Sequence, residues 1–206
     1  PHQILAAPET IACMTRVVAD AVRQARRTVV GVEILLNDPK ASLAVAKASG
    51  ARFIRTDYFV DRMARDEYGG EMTIDAPGWL AYRRRIGSDR SVAIFADIQV
   101  KYARMLEQRT LADSTRLARE AGADGIIVPG QLTGDAPVVT HLAEATAAAD
   151  GHPILIGSGL TAENAPTVLA HATGAIVGTG IMRDGRIDRD RAGRLMDVVH
   201  GLRRKG

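Results

Sequence analysis

Apolar and polar positions along the chain follow two alternating rhythms. From about Pro8 to Ala25, Ile11, Met14, Val18, Val22 and Ala25 recur at three- and four-residue spacing, the stripe of an amphipathic helix. Val29 to Leu36 is a short apolar run rich in β-branched residues and predicts a strand. Asp38 and Pro39 then supply a capping residue and a proline at the first helical position, and Gly50 ends the helix they open. The alternation continues with strands at about 52–57, 92–98, 125–129, 153–157 and 175–179. Helices are predicted between and after them at 110–121 (Thr110 as cap, Gly122 as stop), 137–149, 164–172 and 189–203.

Strand starts roughly 22 to 40 residues apart leave room for a strand plus a crossover helix, which forces parallel pairing. Only 58–91 breaks the rhythm, an insertion containing Gly69, Gly70, Pro77 and Trp79. No composition shift marks a linker, so residues 1–206 read as one domain.

The strand faces separate two α/β architectures. Val30, Val32, Ile34 and Leu36 oppose Gly31, Glu33, Leu35 and Asn37; Ile54 and Thr56 oppose Phe53, Arg55 and Asp57. Ile94, Ala96, Ile98 and Val100 oppose Ala93, Phe95, Asp97, Gln99 and Lys101. One face is apolar, as required beneath a helix layer, and the other gathers charge toward the strand C-terminal ends. A doubly wound sheet meets helices on both faces and wants both apolar. An eight-stranded (β/α)8 TIM barrel, with its site at the C-terminal mouth of the lumen, explains the charges better, although only six strands are visible.

Composition narrows the classes. Apolar residues are 46% and charged residues 25%, so the chain is globular rather than disordered, and with 4% aromatics its core must be aliphatic. Cys13 stands alone, which excludes an intramolecular disulfide framework and a multi-cysteine metal site. No apolar run reaches the length of a membrane span, and a cytoplasmic location is the default expectation. The net charge of +3 is spread out: Arg183 to Arg194 alternates with Asp184, Asp188 and Asp190 and reads as a solvated surface. The tight run Arg83, Arg84 and Arg85 lacks interleaved aromatics, so no nucleic-acid partner is expected.

Two features carry candidate chemistry. The last two predicted strands end in glycine-rich turns, Gly157-Ser158-Gly159 and Gly178-Thr179-Gly180. Such turns let backbone N–H groups approach an anion, and barrels hold substrate phosphates after their last two strands. The bland alternative is glycine needed for the turns alone. The first turn also fits a dinucleotide fingerprint, but it comes late in the chain and no acidic residue ends the next strand. At the mouth, Glu33, Arg55, Asp57, Asp97, Gln99 and Lys101 converge if the barrel is right. They could supply an acid, a base and a cation, or form an ion-pair network that fixes strand register. Lys101 could form a Schiff base only if buried, and Glu33, Asp57 and Asp97 could bind Mg²⁺ through oxygen. His2, His141, His152, His171 and His200 show no paired ligand spacing.

The stretches G-V-E-I-L-L-N-D (31–38), R-F-I-R-T-D-Y-F (52–59), I-F-A-D-I-Q-V-K-Y-A (94–103), G-A-D-G-I-I-V-P-G (122–130), I-L-I-G-S-G-L-T-A-E-N (154–164) and A-I-V-G-T-G (175–180) resemble the BtpA family over nearly the whole chain. The resemblance implies a (β/α)8 barrel of the ribulose-phosphate-binding type. It also implies either a small-molecule enzyme or, as for a cyanobacterial member, a role in photosystem I accumulation at a membrane surface. Family members carry two further strands before the first helix, so this sequence corresponds to strands three to eight of a longer chain.

The combined expectation is a phosphate-binding barrel acting as an isomerase or lyase on a small phosphorylated sugar or nucleotide-like molecule, with homo-oligomers expected and no integral membrane segment. Asp97, Lys101, Glu33, Arg55, Asp57 and Asn37 are the candidate catalytic residues. Gly157, Ser158, Gly159, Gly178, Thr179 and Gly180 are the candidate phosphate ligands. Mg²⁺ is the one cofactor left open. The alternative is a non-catalytic assembly factor for a membrane protein complex.

Overall fold

A computed structural model describes residues 4–35, 37–130, 134 and 136–204. In chain order its elements are α1 (Pro8–Gln24), β1 (Gly31–Val32), α2 (Pro39–Ser49), β2 (Phe53–Thr56), β3 (Met63–Arg65), β4 (Gly70–Glu71), α3 (Ala76–Arg85), β5 (Ala93–Asp97) and β6 (Arg104–Met105). They continue with α4 (Leu111–Glu120), β7 (Gly125–Val128), α5 (Val139–Ala149), β8 (Ile154–Ile156), α6 (Ala165–Val168), β9 (Gly174–Ala175), β10 (Met182–Arg183), β11 (Arg186–Ile187) and α7 (Arg189–Arg203).

The main sheet runs β1-β2-β5-β7-β8-β9, every pair parallel. The strand order follows the chain without the reversal that defines a doubly wound sheet, so the six strands form a curled barrel wall. The helix caps are those the sequence predicts. Asp38 accepts from the Ala41 amide ahead of Pro39, and Thr110 accepts from the Asp113 amide. Gly50 (φ +84°) ends α2 in the left-handed region that glycine enters freely.

Alternation sorts the strand residues as expected. Ile54, Ile94, Ala96, Ile126, Ile154 and Ile156 point outward and are buried beneath the helices with Leu43, Val45, Leu142 and Ala145. Each fully buried isoleucine or leucine there contributes about 1.5–3 kcal/mol. The opposite face lines the lumen, where the rings of Phe53 and Phe95 stack with centroids 5.0 Å apart. Gly125 makes room for that pair: a Cβ there would lie 2.9 Å from the Phe95 ring.

Four elements differ from expectation. The first strand shrinks from 29–36 to two residues, because the chain turns at Leu35 to bring Asp38 over α2; Leu36 lies outside the described residues. The last parallel strand is Gly174–Ala175 rather than 175–179, since Ile176 makes one more ladder bond to Ile156 before the chain bends away. The helix expected over 164–172 is four α residues followed by a 3₁₀ turn, Leu169–His171. The insertion at 58–91 holds α3, whose N-terminus repeats the Asp-then-proline signal of α2, with Asp75 accepting from the Gly78 amide. It also contributes β3 and β4, and β3 pairs on one side with β4 and on the other with β6 in a small antiparallel sheet over Tyr58, Met63, Met72 and Val100. The Arg83–Arg85 run sits on α3, and Arg83 is buried against Asp124 rather than solvated.

Candidate functional site

Strand alternation carries Arg55 and Asp97 to the lumen face at the C-terminal ends of β2 and β5. Arg55 grips the buried Asp97 carboxylate bidentately, Nε to Oδ2 at 2.7 Å and the terminal nitrogen to Oδ1 at 2.8 Å. The same guanidinium lies 3.8 Å from Glu33 and 3.9 Å from Asp57. One cation therefore faces three carboxyl groups, too few to keep all three ionised away from water.

The protonation balance follows. Burial pushes Glu33 up to about 8, against the attraction of Arg55 and with help from the Asp57 and Asp97 charges and a hydrogen bond with Asp57. Burial likewise lifts Asp57, and it raises Asp97 to about 6 although Arg55 is bonded to it. At neutral pH Glu33 carries the proton and Asp97 the charge. Glu33 Oε1 is buried without a hydrogen-bond partner, and Glu33 and Arg55 border a cavity of about 440 Å³ in the lumen. A protonated carboxyl beside an ionised one is the arrangement general acid–base chemistry requires.

The other expected mouth residues fall elsewhere. Asn37 is taken up in tying loops together: its Oδ1 accepts from the Thr56 hydroxyl at 2.8 Å, and its Nδ2 reaches the Tyr58 and Thr73 carbonyls at 3.4 Å. Lys101 is half-buried, stacked at 6.0 Å on the Tyr102 ring, so the burial a Schiff-base amine requires is not met. It borders a small recess of about 180 Å³ with Gln99, Gly130 and His141. Among the described residues no group of three or more His, Cys, Asp or Glu is spaced to hold a metal ion, and Arg55 supplies the positive charge facing Glu33, Asp57 and Asp97. Among the histidines, His152 is bonded to the Ala123 carbonyl at 2.7 Å, and His2 lies outside the described residues.

The two glycine turns border an open recess of about 460 Å³ beyond the ends of β8 and β9. Gly159, Thr179 and Gly180 line it, together with Gly134, Thr161, Ala162, Glu163, Arg191 and Arg194. The other three expected phosphate ligands do not. The Gly157 amide is spent on the ladder, donating to the Val128 carbonyl at 2.8 Å. Ser158 is buried and its Oγ accepts from the Gly130 amide at 3.3 Å. Gly178 is exposed outside the cavity. Gly180 is glycine for a steric reason: a Cβ there would meet the Leu160 carbonyl oxygen at 2.2 Å.

The two arginines are the residues that sequence reasoning missed. Arg183 to Arg194 is largely exposed, as expected, with Asp188, Arg191 and Ala192 half-buried: β10 and β11 form a hairpin, and Asp188 caps α7 by accepting from the Arg191 amide at 3.0 Å. The Arg191 side chain is half-buried, fixed by a bond to the Met182 carbonyl, and Arg194, one turn on, faces the same cavity. Their i, i+3 spacing after a capping aspartate was the available signal.

A second missed feature sits behind the mouth. Buried Asp61 accepts from the Gln99 amide at 2.8 Å, the Ser114 hydroxyl at 2.7 Å and Arg109 at 2.9 Å. This clamp holds the loop after β5, in which Gln99 (φ 45°) and Tyr102 (φ 63°) take left-handed conformations.

Comparison with known proteins agrees with this architecture. The family model described as "BtpA family" matches residues 1–201. The chain is 38% identical over 182 residues to the photosystem I biogenesis protein BtpA of Synechocystis, covering 88% of this chain and 62% of that protein, so it spans less than two thirds of that relative's length. It is 35% identical to an uncharacterized protein of Archaeoglobus fulgidus, covering 94% of this chain and 75% of the relative. Among solved structures it resembles 3-hexulose-6-phosphate synthase from Salmonella typhimurium, with TM-score 0.65, 14% identity and coverage of 91% and 80%. It resembles thiamine phosphate pyrophosphorylase from Pyrococcus furiosus with TM-score 0.62, 16% identity and coverage of 96% and 80%. At these identities the structural likeness establishes the TIM-barrel fold.

Proposed function

This chain belongs to the BtpA family, and on that premise we propose that it is a phosphate-binding barrel enzyme of isomerase or lyase type acting on a small phosphorylated sugar or nucleotide-like molecule. The observation that carries the reading is the pairing of two sites on one barrel wall. An arginine-bearing cavity lies past β8 and β9, and a carboxyl cluster that holds both a proton and a charge lies at the ends of β1, β2 and β5. Phosphate held by Arg191, Arg194 and the Gly159 and Gly180 turns anchors the substrate, and that binding energy is spent on orientation. Glu33, which borders the lumen cavity, then donates a proton to a carbonyl or leaving oxygen, and the Arg55 guanidinium, held in place by Asp97, stabilises the negative charge that develops. The names of the structural neighbours, a hexulose-phosphate synthase and a thiamine phosphate pyrophosphorylase, support a phosphorylated substrate by analogy of fold.

Thermal unfolding with a panel of sugar phosphates, nucleotides and their unphosphorylated counterparts tests this. A ligand at 100 times its Kd adds about 2.7 kcal/mol, a shift of a few degrees. A shift for phosphorylated compounds that is lost in Arg191→Ala/Arg194→Ala supports the enzyme; no shift across the panel refutes it.

One observation favours a second reading, an assembly factor for a membrane complex: the Synechocystis relative is a photosystem I biogenesis protein by name. Among the described residues no helix is long and apolar enough to cross a membrane, so such a role needs surface docking. Capture of a membrane complex that persists when Asp97 and Lys101 are both alanine favours this reading.

A further inference from the structure

A barrel lumen is ordinarily filled by the side chains that its strands turn inward. Here about 440 Å³ stands open between the two edge strands of the sheet, with Gly31 of β1 and Ala175 of β9 both bordering it. Glycines explain the space. A Cβ on Gly31 would lie 2.1 Å from the Phe53 ring, and one on Gly125 would lie 2.9 Å from the Phe95 ring. Each ring therefore lies over the backbone of a neighbouring strand, and the stacked pair lines the wall rather than filling the middle.

The lining is unequal. Phe53, Phe95, Ile127, Leu155 and Ile176 offer only apolar side chains, while the charged pair Glu33 and Arg55 sits together, 3.8 Å apart. Glu33 Oε1 is buried there without a hydrogen-bond partner. An occupant covered in hydroxyl groups would leave most of them against hydrocarbon, a costly arrangement. A planar ring suits the same lining, because its faces meet aromatic and aliphatic side chains while one polar edge meets Glu33 and Arg55.

The reach to the phosphate is also suitable. Ile176 borders the lumen and Thr179, three residues on, borders the recess past β9, so their Cα atoms lie within about 11 Å of each other. One small molecule can span both spaces.

We propose, resting on the phosphate-binding reading above, that the lumen holds a planar ring of the substrate, its faces against Phe53, Phe95 and the aliphatic wall and its polar edge at Glu33 and Arg55. The substrate is then a ring-bearing phosphate ester of the nucleotide-like kind, and not a simple sugar phosphate.

Calorimetric titration of ribose 5-phosphate and uridine 5′-monophosphate into the unmodified protein, Leu155→Trp and Glu33→Ala tests the proposal. The unmodified protein is expected to bind uridine 5′-monophosphate about tenfold tighter than ribose 5-phosphate, which lacks the ring. Leu155→Trp fills the lumen and abolishes that advantage, while ribose 5-phosphate binds as before and so reports an intact fold. Glu33→Ala leaves the apolar wall in place and weakens uridine 5′-monophosphate severalfold, with ribose 5-phosphate unchanged. Equal affinity for the two esters in the unmodified protein overturns the proposal. So does an advantage for the nucleotide that survives Leu155→Trp, which puts the ring outside the lumen, or equal weakening of both esters in Glu33→Ala. If the unmodified protein binds neither ester, the phosphate-binding reading itself falls, an outcome distinct from binding without a preference for the ring.

Discussion

Arg55 holds Asp97 with two parallel hydrogen bonds, at 2.7 and 2.8 Å, across the neighbouring strands β2 and β5, yet the buried carboxyl remains harder to ionise than one in water. Desolvation of a nearly inaccessible carboxylate outweighs even a bidentate guanidinium. The pair is thus poised: intact and charged at neutral pH, and releasable by a modest fall in pH.

Removing the cation should expose that cost. Arg55→Met leaves Asp97 buried beside two further carboxyls and is expected to destabilise by roughly 3–5 kcal/mol at pH 7.5. The deficit shrinks at pH 5, where Asp97 takes up a proton. Arg55→Met/Asp97→Asn should recover much of the loss. Urea unfolding of the unmodified protein, Arg55→Met, Asp97→Asn and the double variant at both pH values measures the coupling, and additive effects would contradict it.

Glu33 sets a second pH dependence. Its carboxyl titrates near 8 in the fold and near 4.5 in the open chain, so the folded state binds more protons between those values. Stability from this group is complete below about pH 4.5 and is lost as pH rises through 8. Asp97 adds a loss of the same sign up to about pH 6. Unfolding free energy should therefore fall from pH 5 to pH 8.5 by a few kcal/mol. Glu33→Gln removes the part of that slope above pH 6 and unfolds several degrees higher than the unmodified protein at pH 8.5. Because Glu33 and Asp57 share a hydrogen bond, the apparent titration belongs to the pair.

The lumen face is legible in the amino-acid pattern alone, because a strand's period of two places Phe53, Arg55 and Asp57 together whatever lies around them. Alternation fails at Asn37, which follows the end of a strand only two residues long, so that its side chain answers to Thr56 and the loops instead. Glycine spacing points to the cavity past β8 and β9 but does not tell Gly157, committed to a ladder bond, from Gly159, which lines the space. Arg191 and Arg194 are hidden for another reason. Charges alternating along a helix look solvated in one dimension, and Arg194 is indeed exposed; only the packing of α7 beside the 3₁₀ turn Thr179–Ile181 half-buries Arg191 and sets both arginines at the rim of one recess.

The Asp61 clamp makes a local prediction. Asp61→Asn replaces one acceptor oxygen by a donor among three donors, from Gln99, Ser114 and Arg109, and leaves the Arg109 charge underpaired. A loss of about 2–4 kcal/mol is expected. Hydrogen exchange at the Gln99 amide should accelerate more than exchange within β7. Uniform acceleration throughout the sheet would instead make Asp61 a global stabiliser with no particular hold on this loop.

Gly178 and Gly180 lie two residues apart in one turn, and the structure assigns them opposite tolerances. A Cβ on Gly178 meets nothing within 4 Å, so Gly178→Ala should leave the neighbouring turn in place and phosphate binding unchanged. A Cβ on Gly180 would stand 2.2 Å from the Leu160 carbonyl oxygen, a backbone atom that cannot rotate away. Gly180→Ala must therefore push apart the two turns that line the cavity. We expect a cost of about 1–3 kcal/mol and at least a tenfold weaker response to phosphorylated ligands in thermal unfolding. Equal behaviour of the two variants would mean that the turns are not packed against each other as described, and the cavity they share would lose its claim to a defined shape.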